Sequence, residues 1–369
     1  GKDNMLSIIP EDWEKPVKKM NYRCAKRIIQ LANTIGKDID IHAEQNPRED
    51  ANDGFVRLFV VQQHEGINKD EVEQTIMKIM SKDAEDEKWT GIDADVKILT
   101  LEHMMAARRL GFDSFFAPFN KVSKYQMTFL QGAVPEIDFF TKIILPIAES
   151  MKGDGRVALE ILKEYSPLLS KQNTEKPYEL YLKCREKAVD VASMVNENKT
   201  IREIVKIISD SQLINLPNVV DRASNLVSDD VRESDDEELT AWVNTMDLPI
   251  EVIRKYDDYV NHRTRFDTHQ GVKGLEFDRV LVIIDDSEAK GFMFSYDKLF
   301  GVKDLSDTDK KNRIDGKETS VERTQRLFYV TCTRAKNSLA VVMYTDNPQE
   351  VKKESIRKGW FDDKEIIIM

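Results

Sequence analysis

No stretch of this sequence reads G-x-x-x-x-G-K-[ST], so the glycine-rich loop that cradles nucleotide phosphates is missing from the chain. Cysteine is scarce as well. Cys24, Cys184 and Cys332 lie far apart with no C-x-x-C spacing, which argues against a zinc site and for a reducing, cytoplasmic compartment. No apolar run approaches the roughly 18 residues that span a bilayer, so no membrane role is expected. The opening Gly1-Lys2-Asp3-Asn4 is not a signal peptide. Positive charge is outnumbered: 55 Lys and Arg face 66 Asp and Glu, a net charge of −11. A protein that grips nucleic acid by a basic face alone is normally positive. Any such contact here is expected to be a local groove or to be shared with another domain.

What is present fits a soluble globular chain of two or three domains: 369 residues, 41% hydrophobic and 33% charged. Residues 11–35 are helical in pattern, and Gly36 stops the helix. Residues 37–54 are polar and rich in turn formers. Phe55 to Val61 reads as a strand, and Asn68 caps a helix with Val72, Ile76, Ile79 and Met80 on one face. Val96 to Leu101 is a second strand, followed by a helix from Met104 to Leu110 that Gly111 closes. This alternation predicts a parallel sheet with helical crossovers. It stops near residue 115. Helical patterns then cover 136–151, 156–164, 177–195, 199–209, 236–246 and 249–261. The acidic stretch from Ser228 to Glu238 reads as a solvated loop entering a helix N-terminus, where acids are favoured. Continuous apolar runs return at Arg279–Asp285 and Ser338–Tyr344, the mark of strands buried on both faces. Residues 301–317 read as a polar loop and 319–334 as a helix.

The expected fold is therefore α/β: a RecA-like parallel sheet with helices on both faces, interrupted by an inserted all-helical subdomain. Its expected boundaries are 1–119 and 259–350 for the α/β domain, 120–258 for the insertion and 351–369 for a C-terminal tail. That tail holds Asp362, Asp363 and Glu365 but no acid–acid–lysine spacing of the kind a nuclease needs.

Three blocks stand out: Asn21-Tyr22-Arg23-Cys24, Thr268-His269-Gln270-Gly271-Val272-Lys273-Gly274-Leu275-Glu276-Phe277, and Glu322 to Ala335, which contains Tyr-Val-Thr-Cys-Thr-Arg-Ala. In content, order and the placing of the insertion they resemble the superfamily 1 DNA helicases of the UvrD/Rep/PcrA type. The resemblance covers residues 15–35 and 260–345 by motif and the remainder by architecture. It implies the C-terminal half of such a helicase: the second RecA-like domain, with ATP and Mg2+ held against an N-terminal RecA-like domain of the same protein. That domain would carry the phosphate loop and the magnesium-binding acids. This chain alone would then hydrolyse nothing, and the intact protein would step 3′-to-5′ on single-stranded DNA.

The resemblance also implies roles for single residues. Tyr22 would stack on the adenine, and a tyrosine ring suits that task. Arg23 and Arg334 would reach the γ-phosphate, where a fixed guanidinium stabilises the charge that spreads over the transferred group. Glu276 would accept from the ribose hydroxyls, and Gly274 would shape the turn. Thr268, His269, Gln270 and Lys273 would contact DNA phosphates. Two positions depart from the family's usual form. Cys24 stands where serine is usual. The usual histidine falls on Gln270, with His269 one place earlier, which puts the DNA role of His269 in question.

Each role has a plainer competitor. Tyr22 is open to reading as a packing residue. Arg334 is a cation at a helix end, and Glu276 a partner for Lys273. Phe115, Phe116 and Phe119 suit a core as well as base stacking. His64, His103 and His262 lack companions at ligand spacing. A second class of function also stays open at this point: a stand-alone, non-catalytic helicase-like module that binds a protein partner through the helical insertion.

Overall fold

The computed structural model describes residues 19–37, 39, 44–169, 177–227, 229, 236–289, 291 and 293–369. Its centre is a six-stranded parallel sheet. The strands are β1 (Phe55–Gln62), β2 (Lys97–Thr100), β3 (Phe266–Thr268), β4 (Phe277–Ile284), β5 (Ala335–Thr345) and β6 (Ile366–Ile368), in the spatial order β3-β2-β4-β5-β1-β6. The register sets Val280 against both Lys97 and Leu339, Phe55 against Ser338, and Leu58 against Ile366.

The two apolar runs form the central strands because both of their faces are covered. Val280, Val282, Ile284, Leu339, Val341 and Met343 belong to one core, which also holds Ile28 and Ile35 of the helix Lys26–Gly36 and Phe328 of the helix Ser320–Cys332. The alternate residues Leu281, Ile283, Ala340 and Val342 are equally buried and face the other way. On that side the helix Lys69–Asp83 buries Ile76 and Met80, and its Glu73 accepts a hydrogen bond from the hydroxyl of Tyr344 at 3.2 Å. Asn68 caps this helix, its side chain accepting from the N–H of Glu71.

The chain divides into two compact units, one made of 1–102 with 267–369 and the other of 103–266. Both boundaries lie outside the expected 120–258. The helices His103–Leu110 and Asp113–Phe119 begin the helical unit because Phe112, Phe115, Phe116 and Phe119 feed its core. Phe119 packs edge-on to Trp242 with centroids 4.9 Å apart, and Phe129 stacks on Tyr256 at 4.7 Å. The phenylalanine cluster is a core, with no face left for a base. Expected helix 136–151 contains a widened turn at Phe139–Ile144, directly before Pro146. Proline cannot donate to the helical ladder, and the wider turn absorbs the lost bond. A helix at Asn218–Ser224 had no reading in the sequence.

Two further readings need correction. The span 301–317 is not all loop: Ser306 and Asp309 form a reciprocal cap that starts the helix Asp307–Ile314. Nor is 351–369 a tail, since the helix Pro348–Arg357 and β6 complete the sheet edge. Residues 11–18 of the first expected helix, and 228 and 230–235 of the acidic run, lie outside the described residues; where it is described, that helix begins only at Lys26, after the extended pair Met20–Asn21. Where the acidic run is described, Asp236 caps the helix Glu237–Thr245, as acids at an N-terminus do.

Candidate nucleotide half-site

The four residues Asn21 to Cys24 form a tight turn held by one side chain. Oδ1 of Asn21 accepts from the backbone N–H of Arg23 at 2.8 Å and of Cys24 at 3.0 Å. This asparagine turn projects Tyr22 outward, and the residue is 71% exposed. The next residue is anchored to the sheet, with Ala25 N–H donating to the Lys336 carbonyl at 2.7 Å at the start of β5. Gly54 makes this approach possible. Its φ is +78°, and a Cβ there would sit 2.5 Å from that of Ala25.

Arg334 arrives from the opposite side. Thr319 and Glu322 cap the helix Ser320–Cys332, and the arginine follows its last turn. Its guanidinium donates to the carbonyl oxygens of Val330 at 2.9 Å and Leu275 at 2.9 Å, and to the hydroxyl of Thr333 at 3.2 Å. Glu276 comes from the turn before β4 and forms an ion pair with Nε of Arg23.

These elements enclose a cavity of about 590 Å³ lined by Met20, Asn21, Tyr22, Arg23, Cys24, Gln45, Glu276, Tyr329, Thr333 and Arg334. It lies at the end of the sheet where the central strands β4 and β5 begin. Burial, and then the like charge of Arg23, lowers the pKa of Arg334, yet a guanidinium stays protonated in any case. Burial pushes the Cys24 thiol up, and the Tyr329 phenol likewise. The cavity thus offers two guanidinium groups, one held by neutral oxygens and the other ion-paired to the single carboxylate, and one exposed aromatic ring. Among the described residues no group of three or more His, Cys, Asp or Glu is placed to hold a metal ion.

The segment read as a DNA contact divides in two. Gln270 and Lys273 are exposed. Thr268 is buried, and its hydroxyl oxygen accepts from the N–H of Gly271 at 3.0 Å. His269 is fully buried, with Nε2 3.3 Å from the Leu99 carbonyl and Nδ1 3.1 Å from the Tyr296 hydroxyl. A carbonyl only accepts, so Nε2 carries the proton and Nδ1 accepts from Tyr296. Burial depresses the pKa of this histidine to about 4. The expectation that the Thr268 and His269 side chains meet DNA is therefore corrected: both turn into the protein, and neither presents its polar atoms to solvent. Gly274 has φ +89°, a left-handed conformation that turns the chain back toward Glu276.

The family described as the UvrD-like helicase C-terminal domain matches residues 120–346, more than half of the chain. The chain belongs to this family. No curated protein matches it. The matched span of this helicase C-terminal domain takes in Gln270, Lys273, Gly274, Glu276 and Arg334, whereas Tyr22 and Arg23 precede it. Among the described residues, no helix is long and apolar enough to cross a membrane.

One residue that lines the cavity had no signal in the sequence. Gln45 lies in the polar span 37–54, and its position beside the motifs arises only from the fold. Its Oε1 accepts from Asn21 Nδ2 at 2.6 Å, and its Nε2 donates to the Tyr329 hydroxyl at 3.1 Å. It thereby ties the Tyr22 turn to the helix that leads into Arg334. Asn33 fixes Gln45 in turn, bonding both its N–H and its carbonyl at 2.9 and 2.8 Å.

Proposed function

We propose that this chain is the C-terminal portion of an ATP-dependent DNA helicase that translocates 3′-to-5′ on single-stranded DNA, and that the cavity is half of its nucleotide site. The observation that carries this reading is the gathering of Arg23, Arg334, Glu276 and Tyr22 around one hollow. The four come from three segments of the chain, the first and last more than three hundred residues apart. Phosphoryl transfer needs positioned positive charge where negative charge spreads over the phosphate oxygens, and two arginines supply it. Tyr22 presents an open ring to a base, Glu276 accepts from ribose hydroxyls, and Gln270 and Lys273 contact the DNA backbone.

The cavity's residues fit the sugar, the base and the outer face of a polyphosphate. They supply neither a phosphate loop nor magnesium ligands, and those belong to an N-terminal RecA-like domain of the same protein. ATP with Mg2+ supplies the phosphoryl group when bound between the two domains. This chain holds the base, orients the ribose and stabilises charge at Arg334 and Arg23. Alone, it is inactive as an ATPase.

The test is steady-state ATP hydrolysis, with and without single-stranded DNA, on this chain and on the same chain joined to its phosphate-loop domain. DNA-stimulated turnover confined to the joined protein, and abolished by Arg334→Ala, is the expected result. Turnover that is absent from the joined protein, or indifferent to Arg334→Ala, sinks the reading.

A further inference from the structure

The end of the sheet away from the cavity carries a second set of charges. Gln270 follows β3 and the helix Tyr296–Leu299 follows β4, so both lie where strands finish, the end at which open α/β sheets present ligands. A chain of bonds runs outward from there. The Tyr296 hydroxyl donates to His269, the neighbour of Gln270, at 3.1 Å. Two residues on, Lys298 donates to Asp309 at 2.7 Å. Asp309 is buried in the first turn of the helix Asp307–Ile314, and it also accepts from the Ser306 hydroxyl at 2.6 Å. The N–H of Ser320 donates to its other oxygen at 2.8 Å. The helix is thereby pinned by its buried side, one short element away from the exposed Gln270.

Its outer side is basic. Residues 310–317 hold four cations, Lys310, Lys311, Arg313 and Lys317, against one anion, Asp315, in a chain of net charge −11. All four cations are exposed. Lys310 reaches Asp307 at 3.6 Å and Lys317 reaches Asp315 at 3.5 Å, and such open pairs give way readily to a stronger anion. Lys311 and Arg313 have no ion-pair partner among the described residues. The acids along the path to Gln270 are already engaged: Asp285 and Glu288 pair with Lys69, Asp297 with Lys303 and Asp309 with Lys298. The charge left over on this helix is therefore positive. Cations spaced along an exposed face fit a row of phosphates, whose counterions they displace.

We infer that the helix Asp307–Ile314 is an auxiliary surface for single-stranded DNA, receiving phosphates of the strand several nucleotides beyond those met at Gln270 and Lys273. The inference rests on the DNA role given to that turn and extends it along the same end of the sheet. Lys310, Lys311 and Arg313 contact the backbone without preference among bases, because each is a charge on a flexible arm that meets phosphate and no base edge. They lengthen the footprint on DNA and leave the nucleotide cavity, at the other end of the strands, untouched.

The experiment is fluorescence-anisotropy titration of the joined protein with oligothymidylates of about 6 and about 20 nucleotides over a range of salt. Lys310→Gln, Lys311→Gln and Arg313→Gln are combined in one variant, which removes three charges and keeps the buried Asp309 pin. On the long oligomer, its slope of log affinity against log salt is expected to be shallower by about 2, at about 0.7 per lost contact to a single strand. Its affinity for that oligomer at low salt falls about tenfold. The short oligomer, held without reaching this helix, binds the variant as it binds the unaltered protein. A long-oligomer slope and affinity that stay unchanged overturn the inference. So does an equal loss on both lengths, which marks a diffuse charge effect, and so does a loss confined to duplex DNA. Gln270→Ala combined with Lys273→Ala separates this outcome from failure of the DNA reading itself. If that double variant weakens both oligomers while the triple variant weakens neither, only the auxiliary surface falls. If the double variant weakens neither, the turn is not a DNA contact and both readings fall.

Discussion

Arg334 donates from Nη1 to the carbonyl oxygen of Leu275 at 2.9 Å, and the Arg334 carbonyl accepts from the N–H of Phe277, two residues further on, also at 2.9 Å. The last arginine of one motif is thereby locked, side chain and backbone, to the turn that carries Glu276.

That lock sets the first expectation. In the phosphate-loop-joined protein, Arg334→Ala lowers DNA-stimulated ATP turnover by about a thousandfold, the scale of losing an arginine finger. Arg334→Lys does not rescue it. An ammonium is a point charge without the planar fork that reaches Val330, Leu275 and Thr333 together. The check is kcat for both variants beside melting temperatures, and turnover in Arg334→Lys near the unaltered level refutes the geometric argument.

The turn itself makes a second, opposed pair of expectations. A Cβ on Gly274 meets nothing within 4 Å, but φ is +89°. Gly274→Ala therefore costs only backbone strain, about 1 kcal/mol. Gly271 has ordinary φ, yet a Cβ there would lie 2.3 Å from Oδ1 of Asp267 and 2.9 Å from Oγ1 of Thr268. Gly271→Ala must displace a buried, hydrogen-bonded pair and costs more, about 2–3 kcal/mol. Urea denaturation of the two variants ranks them, and the reverse order refutes the reading.

The sequence made the sheet legible because its central strands are buried on both faces, which forces unbroken apolar runs at Arg279–Asp285 and Ser338–Tyr344. It made the cavity's charged residues legible because they sit in short motifs beside strand starts. The helical unit's limits were not legible. Residues 103–119 continue the strand–helix rhythm, and only the direction in which Phe112, Phe115, Phe116 and Phe119 are buried assigns them to the second core. The burial of His269 was hidden for a similar reason: one position in a polar motif turns inward to meet Leu99 and Tyr296. Gln45 belongs to no pattern, and its place beside Asn21 and Tyr329 exists only once the chain is folded.

The sheet edge read as a tail carries a third expectation. Arg27 donates from Nε and Nη2 to both carboxylate oxygens of Glu365, each at 2.7 Å, and from Nη2 to the Trp360 carbonyl at 2.8 Å. Burial pushes the Glu365 carboxyl up, but its bonds to Arg27 outweigh this and hold its pKa below the ordinary value. Arg27→Ala leaves a buried carboxylate without its cation, at a cost of about 3–5 kcal/mol. Amide exchange should show β6 losing protection first. Full protection of Ile366 to Ile368 in the variant would mean that the pair does not anchor the edge.

His269 gives the last expectation through pH. Its pKa is about 4 in the folded chain against an ordinary 6.5, because burial disfavours the imidazolium. A histidine with a depressed folded pKa contributes stability that is present above about 6.5 and is lost as pH falls toward about 4, since the unfolded chain takes up the proton first. The loss reaches about 3 kcal/mol across that window. The slope of unfolding free energy against pH should flatten in His269→Gln, which has no imidazole to titrate, after its overall stability is matched with a stabilising additive. Single-stranded DNA affinity of the joined protein should stay as it was, because the ring never reaches the surface. If DNA affinity drops while the pH slope persists, the histidine serves DNA after all, and the buried ring seen here is not its working position.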